Sequence, residues 1–118
     1  TLYEKNNKVK NIKKINNKIL NKMSFHNVDI KKFPSVNFIS KCLNSGHSAP
    51  TIVNASNEEL VKMFLDGKIR FLDIVDTINK IFRDKEFKKY AKKKPKSVNE
   101  IKIIDNWARL KTINMCVR

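Results

Sequence analysis

The sequence is poor in glycine, with only Gly46 and Gly67 among its 118 residues. A Rossmann or P-loop phosphate cradle needs several glycines close together, so neither can be built within this segment. Cysteine is just as scarce. Cys42 and Cys116 lie far apart, which matches neither a disulfide framework nor zinc-ligand spacing. Both fall on apolar faces of expected helices, where reduced cysteine packs as a small hydrophobe, and this fits a reducing compartment. No apolar run approaches the ~20 residues a membrane span needs. No signal-peptide pattern of basic, apolar and small-residue regions is present. His26 and His47 have no His, Cys or acid partner at metal-ligand spacing, and each reads as a surface or capping histidine.

Positive charge is abundant, at a formal net +15, but it is almost all lysine: 22 lysines against four arginines. Arginine is the usual residue for bidentate contact with bases and phosphates. The charge is also unevenly placed. Residues 1–33 carry nine lysines and two acids, and residues 80–118 carry thirteen basic residues and four acids. Residues 34–79 carry four basic residues and five acids and are close to neutral. Lys, Asn and Ile together are what an AT-rich genome writes into solvated positions, and surface charge alone speaks to solubility rather than to fold. Nucleic acid is therefore not the expected partner.

A chain of this length supports one small domain. It opens on Thr1 rather than methionine, and Thr1 is expected to be a cut point within a longer protein. Residues 1–33 read as an extended polar linker, in which Met23–Phe25 forms a short strand or docks on a neighbour. Pro34 disfavours helix at Phe33, so a boundary falls there. A first helix is expected from Pro34 or Ser35 to Ser45-Gly46, with Val36, Ile39, Cys42 and Leu43 as its apolar face. A second is expected from Pro50 or Thr51 to Asp66-Gly67, with Val53, Ser56, Leu60, Met63 and Phe64 on one face; glycine closes both. A third is expected from about Leu72 to Arg83, carrying Ile74, Ile78, Ile81 and Phe82. A fourth follows the Ser97/Glu100 capping-box spacing and carries Ile101, Ile104, Ala108 and Met115, with Ile103, Trp107, Leu110 and Val117 beside them. The basic run 84–96 reads as a solvated loop with Phe87 and Tyr90 anchored on the core, since Pro95 cannot sit in a helix interior. The expected fold is all-α: a small four-helix bundle at 34–118 preceded by the extended linker at 1–33.

Candidate chemistry is thin. Glu58 and Glu59 are adjacent, so on a helix they point about 100° apart and cannot form a facing acid pair. Asp73 and Asp76 sit at a helix start, where the macrodipole already favours carboxylates. The run from Phe87 to Lys96 combines charge with aromatics, a pattern that can grip single-stranded nucleic acid, but its plainer interpretation is the solvated loop. The informative segment is 49–58. Asn54 and Asn57, poor helix-interior residues, stand near a helix start and share one side with Glu58. Polar groups facing inward must be hydrogen-bonded, or each costs roughly 1–3 kcal/mol. The segment therefore implies a specific polar network, or capping of the preceding loop.

Asn54-Ala55-Ser56-Asn57-Glu58 resembles the N-A-A-N-E signature of 1-deoxy-D-xylulose 5-phosphate reductoisomerases. The surroundings are similar in order and spacing over residues 24–74. Phe25, Val28-Asp29 and Lys32-Phe33-Pro34 resemble the family's approach to its helical domain. Gly46 to Pro50 resembles its G-x-x-A-P step, and Phe64-Leu65, Lys68-Ile69, Phe71 and Asp73-Ile74 resemble the continuation. Trp107-Ala108-Arg109 is compatible but less diagnostic. Ser56 stands where alanine is usual, Val28 where proline is frequent, and the stretch after Ile74 is richer in lysine.

The resemblance implies an enzyme of the methylerythritol phosphate route to isoprenoids, which rearranges its phosphorylated substrate and reduces the product with NADPH, using Mg2+ or Mn2+. It also implies that the cofactor domain, the metal-binding acids, the phosphate-binding residues and the mobile lid all precede Thr1. No catalytic, cofactor-binding or metal-binding residue is carried over to this chain. Asn54, Asn57 and Glu58 are carried over as structural hallmarks that brace the bundle against the catalytic domain. The implied partners are the enzyme's own N-terminal and central domains and, for the full-length enzyme, a second copy in a homodimer. The implied compartment is the cytoplasm, or the plastid in a eukaryote. Two alternatives stand beside it: a free-standing basic module that binds nucleic acid, and an interaction protein that reuses the bundle without the enzyme.

Overall fold

A computed structural model describes residues 16–117. The part of the expected linker before Asn16 lies outside the described residues. A four-residue helix, α1 (Asn17–Leu20), is started by Asn16, whose side-chain oxygen accepts from the Lys18 amide at 3.0 Å. The chain then runs without regular structure, Met23–Phe25 included, to a turn where Asp29 Oδ1 accepts from the Lys31 amide at 2.9 Å. A 3-10 turn at Pro34–Val36 leads into α2 (Asn37–Ser45). There follow α3 (Ala49–Leu65), α4 (Phe71–Arg83), α5 (Lys85–Ala91) and α6 (Val98–Cys116). No strand occurs among the described residues.

The four expected helices are α2, α3, α4 and α6. Local chemistry sets their ends. Gly67 adopts φ +71° and donates to Phe64 O, while Lys68 donates to Met63 O, closing α3 in the manner of a glycine C-cap. Ser97 Oγ accepts from the Glu100 amide at 3.3 Å, and Glu100 reaches back to the Lys96 amide at 2.7 Å. The fifth, α5, occupies ground expected to be loop. Asp84 caps it by accepting from the Glu86 amide at 2.8 Å, and Phe87 and Ala91, one turn apart, bury its inner side. The helix stops well short of Pro95, so the proline objection holds only for the end of the run.

Helix α3 is the centre, packed against α2, α4, α5 and α6. On one side lies a core of Cys42, Ile52, Ala55, Ile81, Phe87, Ile104 and Ala108, with Tyr90 and Trp107 at its margin. On the other lie Phe38, Leu60, Ile74 and Ile78. Phe82 joins the two: its ring is 5.7 Å from Phe38 and 5.1 Å, edge-on, from Phe87. Apolar faces differ from expectation in three places. In α2, Phe38 and Cys42 point inward, whereas Ile39 and Leu43 are 70% and 78% exposed. In α3 the buried set is Ala49, Ile52, Ala55, Ser56 and Leu60, because small side chains let neighbouring helices close on it from both sides. In α6 only Ile104, Ala108 and Thr112 are buried, whereas Ile103, Leu110 and Val117, expected beside the inner stripe, are all more than 60% exposed.

Ser56 carries a cost within this core. Its hydroxyl is fully buried and has no hydrogen-bond partner. Ser56→Ala removes the orphaned group and also favours helix, so it is expected to stabilise the domain by about 1 kcal/mol. The urea midpoint of the purified chain measures this, and a midpoint at or below wild type contradicts it.

Candidate functional site

Asn54, Asn57 and Glu58 stand on the outward side of α3, all three exposed. The inward-facing network suggested by sequence is therefore an outward one. Ile52, Ala55 and Ser56 take the inner positions, and the polar side chains stay where water can reach them. Asn54 Nδ2 donates to Glu58 Oε1 at 3.0 Å, as residues one turn apart can. The other carboxylate oxygen, Oε2, accepts from Arg109 Nη2 of α6 at 2.6 Å. Arg109 Nε donates to Asp105 Oδ2 at 2.8 Å, and its Nη1 lies 3.6 Å from Glu59. One guanidinium thus gathers three carboxylates and ties α3 to α6. Asn57 does not join this junction; it lines a neighbouring groove together with Asn54. The preceding loop is not capped by any of these residues. Instead Ser48 donates its amide to Ala91 O at 3.0 Å and its hydroxyl to Lys93 O at 2.6 Å.

Arg109 is the residue of this junction that sequence patterning under-weighted. Its one local sign is the spacing from Asp105, one helical turn away. The Asp105 and Glu58 hydrogen bonds raise its pKa, so it is a permanent cation. The Arg109 hydrogen bond, with that of Asn54, holds the Glu58 carboxyl below the usual glutamate range. Elsewhere the Arg70 side chain does the same for Asp73, the carboxylate at the start of α4. Burial would raise Asp84, but the hydrogen bonds from Lys111, 3.1 Å away, and from the Glu86 amide outweigh it. All three carboxyls have depressed folded pKa values. Their contribution is complete above the unfolded carboxylate range and is lost as the pH falls from about 5 through the folded values. Stability is expected to drop over that acid window, and Glu58→Gln is expected to flatten the drop. Urea midpoints between pH 3 and 7 test this; identical slopes for wild type and variant contradict it.

Beside the junction, α2, α3 and α4 enclose a groove of 670 Å3. Phe38, Ile74 and Ile78 form its floor, and Ile39, Leu43 and Phe71 stand along it largely exposed. No residue lining it is charged, in a chain that is 31% Asp, Glu, Lys and Arg. The basic run offers nothing similar. Phe87 is buried and Tyr90 stacks on Trp107 with ring centres 4.3 Å apart, so both aromatics are engaged within the fold. Among the described residues no group of three His, Cys, Asp or Glu side chains could hold a metal ion, and His26 and His47 are exposed. Cys42 and Cys116 are both free thiols, and burial pushes the Cys42 thiol up. Among the described residues no helix is long and apolar enough to cross a membrane.

A polar clamp between α3 and α6, flanked by an open apolar groove, defines a small all-α domain. The chain belongs to the DXP reductoisomerase C-terminal domain family, whose model matches residues 2–111. It is 32% identical over 117 residues to 1-deoxy-D-xylulose 5-phosphate reductoisomerase of Pelagibacter ubique, covering 99% of this chain and 30% of that protein. The enzyme of the same name from Chlorobium limicola is 37% identical over 89 residues, 75% of this chain and 22% of its own length. Among solved structures, 1-deoxy-D-xylulose 5-phosphate reductoisomerase from Zymomonas mobilis in complex with NADPH is similar with a TM-score of 0.76 and 31% identity. It covers 88% of this chain and 26% of that one. The chain therefore spans under a third of the length of these relatives.

Proposed function

We propose that this chain is the C-terminal helical part of an enzyme that converts 1-deoxy-D-xylulose 5-phosphate to 2-C-methyl-D-erythritol 4-phosphate with NADPH, and that its task is to brace the catalytic part. The observation that carries this is the likeness, over most of the chain, to a solved reductoisomerase at 31% identity. Asn54, Asn57 and Glu58 are structural in this reading. Glu58 holds α3 to α6 through Arg109, and the two asparagines are left at the edge of the docking face. A rigid support matters because small misplacements around a reacting centre are costly.

The described residues do not fit the metal that the whole enzyme would use. Glu58, Glu59 and Asp105 converge on Arg109, and Asp84 and Glu86 on Lys111, rather than on a vacant centre. No chemical step is assigned to this chain; NADPH and Mg2+ or Mn2+ belong to the preceding domains. A homodimer of the full-length enzyme and a cytoplasmic or plastid setting complete the proposal. The 118-residue chain by itself is expected to be inactive. Incubation with 1-deoxy-D-xylulose 5-phosphate, NADPH and Mn2+ tests this, and NADPH consumption above background overturns it.

A further inference from the structure

We infer that the groove between α2, α3 and α4 is the surface on which the polypeptide preceding this domain seats an apolar segment, permanently and within the same chain. The inference rests on the proposal that the chain is the C-terminal part of a larger enzyme. Three observations name this occupant. First, charged residues are depleted at the cores of lasting interfaces, and the lining of this groove has none although nearly a third of the chain is charged. Second, the linker delivers the preceding chain to this spot. Residues 21–33 carry no helix, and the 3-10 turn that follows places Ser35 in the groove's lining. Whatever precedes the linker is thus tethered to the rim through it, and an intramolecular connection raises its effective concentration above that of a free partner. Third, the matching region is a C-terminal domain and covers 22–30% of the curated relatives, so most of their length precedes it.

The exposed apolar side chains of the linker agree with a seated neighbour rather than with a free tether. Met23, Phe25, Val28, Ile30 and Phe33 are all more than half exposed, and Phe25 reaches 87%. A solvated linker gains nothing from such residues, and a linker lying against a second body buries them. At the groove itself, Ile39, Leu43 and Phe71 supply the apolar anchors. Asn54 and Asn57 supply amides on one wall, able to satisfy backbone groups of an incoming segment.

The test compares Leu43→Glu, in the groove and 78% exposed, with Leu110→Glu, on α6 outside it and 63% exposed. In the 118-residue chain both are expected to leave the melting temperature unchanged, because neither side chain is buried there. In the full-length protein, Leu43→Glu is expected to speed chymotrypsin cleavage of the linker between residues 20 and 25 by roughly tenfold, while Leu110→Glu leaves it at the wild-type rate. Equal cleavage of the two full-length variants overturns the inference. So does a 118-residue chain that sediments as a dimer at micromolar concentration and is made monomeric by Leu43→Glu, since the occupant is then a second copy. The bracing role fails separately: faster cleavage with unchanged kcat/KM would leave the groove occupied as inferred but the support unnecessary.

Discussion

Gly46→Ala is expected to destabilise the domain by roughly 3 kcal/mol or more, through two costs that add at one backbone position. The residue holds φ +134° and ψ 176°, a region essentially closed to residues with a Cβ. A Cβ placed there would lie 2.4 Å from the carbonyl oxygen of Ala91 and 2.9 Å from its carbonyl carbon. Those are backbone atoms and cannot swing aside as a side-chain tip can. The oxygen also accepts from the Ser48 amide at 3.0 Å, so displacing it breaks the contact that joins the α2–α3 loop to the end of α5. Gly67→Ala provides the comparison. It too has positive φ, at +71°, but a Cβ there meets nothing within 4 Å. Its cost is expected to be about 1 kcal/mol, the conformational penalty alone. Urea denaturation of both variants with unchanged m-values measures the difference. Equal midpoints would mean that the close approach to Ala91 contributes nothing.

The contrast between these glycines marks how far the sequence could be read. Both were legible as helix stops, because glycine after an apolar period predicts a C-cap wherever the helix ends. Only Gly67 is just that. Gly46 is held by a neighbour 45 residues away, and no local pattern announces such an approach. The same limit governs the candidate site. Asn54 and Glu58 are one turn apart, so their hydrogen bond was implied by spacing. Arg109 lies 51 residues from Glu58, and only the packing of α6 on α3 brings the two together. The direction in which the signature faces was illegible for a related reason. Helix α3 packs on both flanks, so its hydrophobic pattern is spread around the axis and does not single out one inner side. The groove is not legible in the sequence because Ile39 and Leu43 obey the helical period as well as any core residue does. An apolar face left open has the same pattern as one that fills the domain's own core.

Helix α5 shows the opposite failure, in which charge conceals a core element. Four of its seven residues are acidic or basic on the outer side, and only Phe87 and Ala91 record that the run has an inner one. Phe87→Ala is expected to cost roughly 3–5 kcal/mol, the range for emptying a buried aromatic site. The side chain is 2% exposed and packs edge-on against Phe82, which itself bridges both halves of the core. Its loss therefore opens a cavity at the joint between them rather than at a margin. In a domain of about 100 residues such a loss lowers the melting temperature by well over 10 °C and can exhaust the stability altogether. Lys88→Ala and Lys89→Ala, on the exposed side of the same helix, are expected to stay within about 0.5 kcal/mol of wild type. Thermal melts followed by far-UV circular dichroism separate the cases. If Phe87→Ala melts with the lysine variants, the basic run is a solvated loop after all and α5 adds nothing to the core. If it melts far below them, α5 is the element that closes the bundle, and the Ala91 carbonyl against which Gly46 packs is held in place by Phe87 one turn before it.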